Sequence, residues 1–102
     1  MVRMLEDKRQ AIVRACLRFD VSRMHVFGSA LRDDFRPGES DIDLLVEFAP
    51  MSPHELVDAY FDLLDELRSI LGSEVDLVMS DAVKNRYIAA DIERTKQVFY
   101  AA

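Results

Sequence analysis

The eight residues Asp41 to Phe48, DIDLLVEF, alternate without a break: Ile42, Leu44, Val46 and Phe48 fall on one side, Asp41, Asp43, Leu45 and Glu47 on the other. Successive side chains of a strand point to opposite faces, so this is a strand with one dry face and one wet face. It needs neighbours, and three other short apolar runs supply them: RMHVFGS, EVDLVM and QVFYA. The segments between read as helices. Met4, Leu5, Ile12, Val13, Cys16 and Leu17 recur at helical spacing, predicting one amphipathic helix over roughly Leu5 to Arg18. Ser52, Pro53 and Glu55 form a capping-box start, with a buried stripe of Leu56, Val57, Tyr60, Leu63, Leu64, Leu67, Ile70 and Leu71, and Gly72 ends that helix. A polar helix is expected from Ser80 onward through DAVKNRYIAADIERTK. ALRDDF has room for a helical turn or two, and RPGES is a loop by its Pro, Gly and Ser. Helix and strand therefore alternate four times, which predicts a single α/β (α+β) domain over 1–102, a small mixed sheet of about four strands with helices packed on it.

Composition narrows the classes of function. Acidic residues outnumber basic ones 19 to 13, for a net charge of -6, which argues against attraction to a nucleic-acid polymer or an anionic membrane. The single cysteine, Cys16, sits in a helical apolar pattern and reads as a buried hydrophobe; alone, it forms no disulfide within the chain. MVRMLEDKRQ is charged almost at once, and no run approaches about 20 apolar residues, so the expectation is a soluble, cytoplasmic protein.

Two acids on the wet side of a strand do nothing for a core. Asp41 and Asp43 point the same way with Cβ atoms roughly 6 to 7 Å apart, a gap that a divalent cation bridges. Left unpaired, they would repel and pay for desolvation. Asp76, set among Val75, Leu77 and Val78 in another strand, is a candidate third carboxylate if the two strands pair. Three such acids suit two metal ions arranged for in-line phosphoryl displacement. Gly28-Ser29 supplies the complementary half: after a strand and before a helical turn, glycine allows close backbone approach to a phosphate, the serine hydroxyl and backbone N–H groups donate to it, and Arg32 adds a cation. Each element also has a plainer reading. Gly28-Ser29 alone is an ordinary turn, and Asp43 alone a solvated strand residue; it is their combination with Asp76 that favours chemistry. His25 and His54 read as structural or surface residues, Lys84, Arg86, Arg94 and Lys96 as a solvated helix face, and Tyr60 and Phe61 as core or partner surface.

GS, SDIDLLV with eleven residues between Ser29 and Asp41, and the later VDLV together resemble the DNA polymerase beta-like nucleotidyltransferase superfamily, specifically its minimal nucleotidyltransferase (MNT) members, over essentially the whole chain. The resemblance implies a nucleotidyltransferase fold, two Mg²⁺ ions held by Asp41, Asp43 and Asp76, and ATP as substrate, bound by Gly28, Ser29, Arg32 and Ser40. It also implies transfer of a nucleoside monophosphate, AMP above all, with release of pyrophosphate. Minimal members are commonly paired with a helical HEPN toxin, and some neutralise it by adding AMP to a tyrosine; the implied partner is a HEPN-type toxin. The chain departs from the usual pattern where Ala30 follows Ser29 and where Asp33 stands in place of a glycine. Two alternatives stand beside protein adenylylation: an antitoxin acting by occlusion without catalysis, and a nucleotidyltransferase acting on a small molecule.

Overall fold

The computed structural model describes residues 2–32, 35–36 and 39–102. Its elements run α1 (Arg3–Asp7), α2 (Arg9–Arg18), β1 (Val21–Phe27), a 3-10 turn (Gly28–Leu31), β2 (Ile42–Phe48), α3 (Pro53–Leu71), β3 (Val75–Met79), a second 3-10 turn (Ser80–Ala82), α4 (Arg86–Thr95) and β4 (Gln97–Ala101). The strands form one mixed sheet in the order β3-β2-β1-β4. β1 is antiparallel to both β2 and β4, while β2 and β3 are parallel, joined by the long crossover through α3.

Alternation explains the layering. Met24 and Val26 of β1, Ile42, Leu44 and Val46 of β2, and Val75 and Leu77 of β3 are buried in one cluster with Leu5, Ile12 and Cys16 of the first helices and Leu63, Leu67 and Leu71 of α3. Burial also pushes the Cys16 thiol up to about 12, in keeping with its reading as an inert hydrophobe. The capping box of α3 forms as expected: Ser52 Oγ accepts from Glu55 N at 3.2 Å and Glu55 Oε1 accepts from Ser52 N at 3.3 Å. Gly72 closes the helix in the left-handed conformation, φ 61°. Tyr60 of α3 donates its hydroxyl to the Leu77 carbonyl of β3 at 2.5 Å, fixing helix and strand to each other.

Two boundaries and one buried position differ from the sequence reading. The first helix is split at Lys8, whose φ of -103° and ψ of 9° leave the helical region. Just past the break, the Arg9 guanidinium pairs with Glu6, donates to the Phe99 carbonyl at 2.9 Å and lies 4.2 Å from the Phe99 ring centre, a tie to β4 that local periodicity does not encode. The last helix begins at Arg86, because Asn85 Oδ1 accepts from the Tyr87 and Ile88 N–H groups and starts it there; Ser80–Ala82 makes a separate 3-10 turn. Val57, counted into the α3 stripe, is 55% exposed and belongs to the outer face with Phe61. Asp33, Asp34 and the Pro37-Gly38 part of the loop lie outside the described residues. Among the described residues, no helix is long and apolar enough to cross a membrane.

Candidate active site

The opposite face of the sheet carries the residues that alternate with the core ones, odd-numbered in β1 and β2 and even-numbered in β3. Across β1 and β2 the register sets Arg23 against Glu47, His25 against Leu45 and Phe27 against Asp43, and across β2 and β3 it sets Asp43 directly against Asp76. Paired residues of adjacent strands share a face, so Asp43 and Asp76 stand side by side, as the alternation of their two strands requires. Asp41 lies one residue before β2 and is exposed, as is Asp76; Asp43 is half-buried between them and β1.

β1 runs into this acidic cluster through Gly28. Its φ is +67°, a left-handed backbone that a side chain resists, and a Cβ placed there would land on the Asp43 carboxylate. Glycine is needed twice over at this point, for its dihedral and for the space. The chain then turns into Gly28–Leu31, which aims Ser29 at β2: Ser29 N–H donates to Asp43 Oδ2 at 3.2 Å, and the hydroxyl lies 2.6 Å from the Asp41 carbonyl and 3.4 Å from Asp43 Oδ2. A hydroxyl has one proton, and the shorter contact is where it donates.

The electrostatics follow from crowding. Burial raises the Asp43 carboxyl above its ordinary value, and the charges of Asp76 and Asp41 raise it further, against the lowering effect of the Ser29 N–H and hydroxyl. Among the described residues, no three His, Cys, Asp or Glu side chains are gathered as a ready-made metal centre. The donor set still fits a hard divalent cation in kind: carboxylate oxygens only, Asp43 and Asp76 on one sheet face and Asp41 just before it, with a central acid whose charge its neighbours disfavour.

The other expected nucleotide residues divide. Arg32 is exposed immediately after the turn, its N–H bonded to the Ser29 carbonyl at 3.1 Å. Ser40 is engaged locally, accepting from Arg36 N at 3.1 Å and donating its own N–H to the Arg36 carbonyl at 2.8 Å. Ala30 is buried at 1% exposure, so its lack of a polar group serves packing. His25 is buried at 5% beneath α4, where burial and the charges of Lys96 and Arg23 push its pKa down, and His54 is exposed on α3. Sequence reasoning missed the apolar wall beside the turn, Phe27 and Leu31 facing Ile88 and Ile92 of α4. The i, i+4 spacing of the two isoleucines was visible, but not which surface they meet.

A sheet of this order, with a Gly-Ser turn against a strand-borne acid and a second acid in register beside it, defines a nucleotide-transfer fold, and comparison with known proteins agrees. The family described as Nucleotidyltransferase domain matches residues 9–99, and the chain belongs to it. Within that family it is similar to "Putative protein adenylyltransferase MJ0128" of Methanocaldococcus jannaschii, 42% identical over 76 residues that make up 74% of each chain. A second protein of that organism, "Putative protein adenylyltransferase MJ1379", is 34% identical over 76 residues, again 74% of each. Among solved structures, a "putative minimal nucleotidyltransferase" superimposes with a TM-score of 0.77 at 30% identity, covering 95% of both chains. A toxin-antitoxin structure with AMP-PNP gives a TM-score of 0.70 at 21% identity, over 92% of this chain and 73% of that one, a likeness of fold.

Proposed function

We propose that the protein is a Mg²⁺-dependent adenylyltransferase that moves AMP from ATP to a hydroxyl of a helical partner protein, as the antitoxin of a HEPN/MNT pair. The observation that carries this reading is the interlock of Gly28-Ser29 with Asp43, beside Asp76 in register. In this reading Asp41, Asp43 and Asp76 hold the metal ions, which neutralise phosphate charge when bound. Gly28 lets the triphosphate approach the backbone, Ser29 turns its hydroxyl proton from the Asp41 carbonyl to a phosphate oxygen, and Arg32 meets its charge from the solvent side. The acceptor oxygen forms a bond to the α-phosphorus as the bond to the β-bridging oxygen breaks. Pyrophosphate leaves, and the hydroxyl proton passes to a carboxylate of the acidic face.

Support for a partner comes from two sides. Solved structures of this fold include a tri-AMPylated HEPN toxin of Shewanella oneidensis in complex with its MNT antitoxin, at a TM-score of 0.65 and 20% identity. On this chain, α4 presents Tyr87, 75% exposed, with the Arg86 guanidinium over its ring, a surface suited to protein contact. Mass spectrometry of a co-expressed HEPN partner tests the proposal: an added AMP, lost with Asp43→Asn, is the expected result. Neutralisation that persists in Asp43→Asn with no mass added to the partner would make the chain an occluding antitoxin instead.

A further inference from the structure

Of the ten residues of α4, Ile92 alone is buried, where α2 of equal length buries Ile12, Ala15 and Cys16. Two voids adjoin that contact: one of about 320 Å³ lined by Glu93 of α4 and by Leu45 and Glu47 of β2, and one of about 590 Å³ lined by Ile88 of α4 and by Phe27 of β1, with Ile92 lining both. A helix seated on one side chain between two voids is loosely held. His25 lies on the sheet face that it covers. That residue is 5% exposed, and its Nδ1 is buried with no hydrogen-bond partner. Its register partners are apolar, Leu45 on β2 and Val98 on β4, and the next pair on the same face is Phe27 with Asp43. The charged groups that act on it are Arg23 on β1, Glu47 on β2, Glu93 on α4 and Lys96 at the junction of α4 and β4, of which Glu93 and Lys96 pair with each other at 2.7 Å. We infer that α4 is a proton-gated cover: uptake of a proton by His25 unseats the helix from the sheet while the packed face on the other side holds.

The chemistry of the ring sets the direction. An imidazolium donates from both nitrogens, and in the covered state its Nδ1–H would be buried facing no acceptor. Lifting α4 gives that group water. Burial first, then the charges of Lys96 and Arg23, hold the His25 pKa below 6.5, against the opposing pull of Glu47 and Glu93. The covered form is therefore fully favoured above 6.5 and loses that advantage as pH falls from 6.5 through the lowered folded value. Ile92 leaves with the helix, and the wall that faces Phe27 and Leu31 beside Gly28 goes with it. The gate draws on none of the acids of the candidate site, and it operates whether or not they transfer a nucleotide.

Hydrogen exchange followed by mass spectrometry tests the gate on the wild-type chain, comparing α4 with α3 in the same sample from about pH 7 to about pH 5, each corrected for its intrinsic exchange rate. Protection over α4 falls several-fold as pH drops below 6.5 while α3 keeps its own, and the His25 ring titrates below 6.5 by NMR. His25→Phe keeps a ring under the helix and removes the titration, so its α4 protection is flat over the same range. His54→Gln, at an exposed position of α3, follows the wild type. Wild-type protection over α4 that is constant with pH, or that falls in step with α3, overturns the gate. So does a His25→Phe chain that keeps the wild-type pH dependence, or a His25 ring that titrates at or above 6.5. The wild-type exchange and titration decide the matter without the variant, and loss of nucleotide transfer at pH 7 bears on the proposed activity alone.

Discussion

The two faces of the sheet are built on different terms. Against α2 and α3, residues such as Met24, Leu44, Leu63 and Leu67 are buried to within 1%, and among the described residues no polar side chain is fully buried with them. The opposite face is covered over only part of its area: α4 lays Ile92 over the region of Leu45 and His25, all three under 9% exposed, while the rest holds Asp43 and Asp76. One face is held by apolar area that no single group dominates. The other spends its geometry on keeping like charges together, which lowers stability unless something binds there. Stability and chemistry are thereby separated across about one strand thickness, and substitutions on the two sides should differ in kind.

The largest effect is expected on the packed side. Leu63→Ala should lower unfolding free energy by about 2–5 kcal/mol in urea titration, since the vacated volume lies in a fully buried cluster. A loss well below that range would mean that the face is less tightly packed than its burial indicates. The comparison sharpens at the two left-handed glycines. Gly28→Ala and Gly72→Ala each carry a backbone penalty of about 1–2 kcal/mol, but nothing lies within 4 Å of a Cβ at Gly72, whereas at Gly28 the Asp43 carboxylate must move. Gly28→Ala should therefore be the more destabilising in parallel melts and should abolish transfer, while Gly72→Ala keeps transfer at the wild-type rate.

The smallest effect has the opposite sign. Because the folded chain raises the Asp43 carboxyl above 3.8, it holds that proton more tightly than the unfolded chain does. Stability from this group falls as pH rises from 3.8 through the raised folded value, and above it the ionised carboxylate is a standing penalty. Asp43→Asn keeps an acceptor for Ser29 and removes the charge. At pH 7 without metal its Tm should equal or exceed that of the wild type, with the gap closing as pH is lowered toward 3.8. A lower Tm at pH 7 would show that Asp43 supports the fold, and would break the division between the faces.

What the sequence disclosed follows the same division. The alternation in DIDLLVEF, the capping box at Ser52 and the stripe through Leu63 and Leu67 are local patterns with one physical reading each, and strands, long helix and packed face come directly from them. Asp43 and Asp76 on a common face required only that β2 and β3 pair. The cover over His25 did not emerge, because it depends on where α4 begins, which Asn85 settles by taking two backbone bonds ahead of an otherwise featureless polar run. The break at Lys8 was hidden for a related reason: the group that anchors the next residue, Phe99, is ninety positions away. The bond that the Ser40 hydroxyl accepts from the Arg36 backbone N–H was hidden too, because it is local geometry that spacing alone does not reveal.

The contact between Gly28 and Asp43 also bears on how a chain of this kind would age. With the carboxylate filling the volume where a side chain would begin, the two positions drift as one: any replacement at 28 is rejected while the acid remains, and shortening the acid removes the steric part of that rejection. If Asp43 serves catalysis as proposed, a descendant that gave up catalysis and lost its acid would next be freed to lose the glycine, held back only by the left-handed backbone. Among descendants, glycine at 28 without an acid at 43 would thus mark recent retirement from chemistry, and the loss of both an older one.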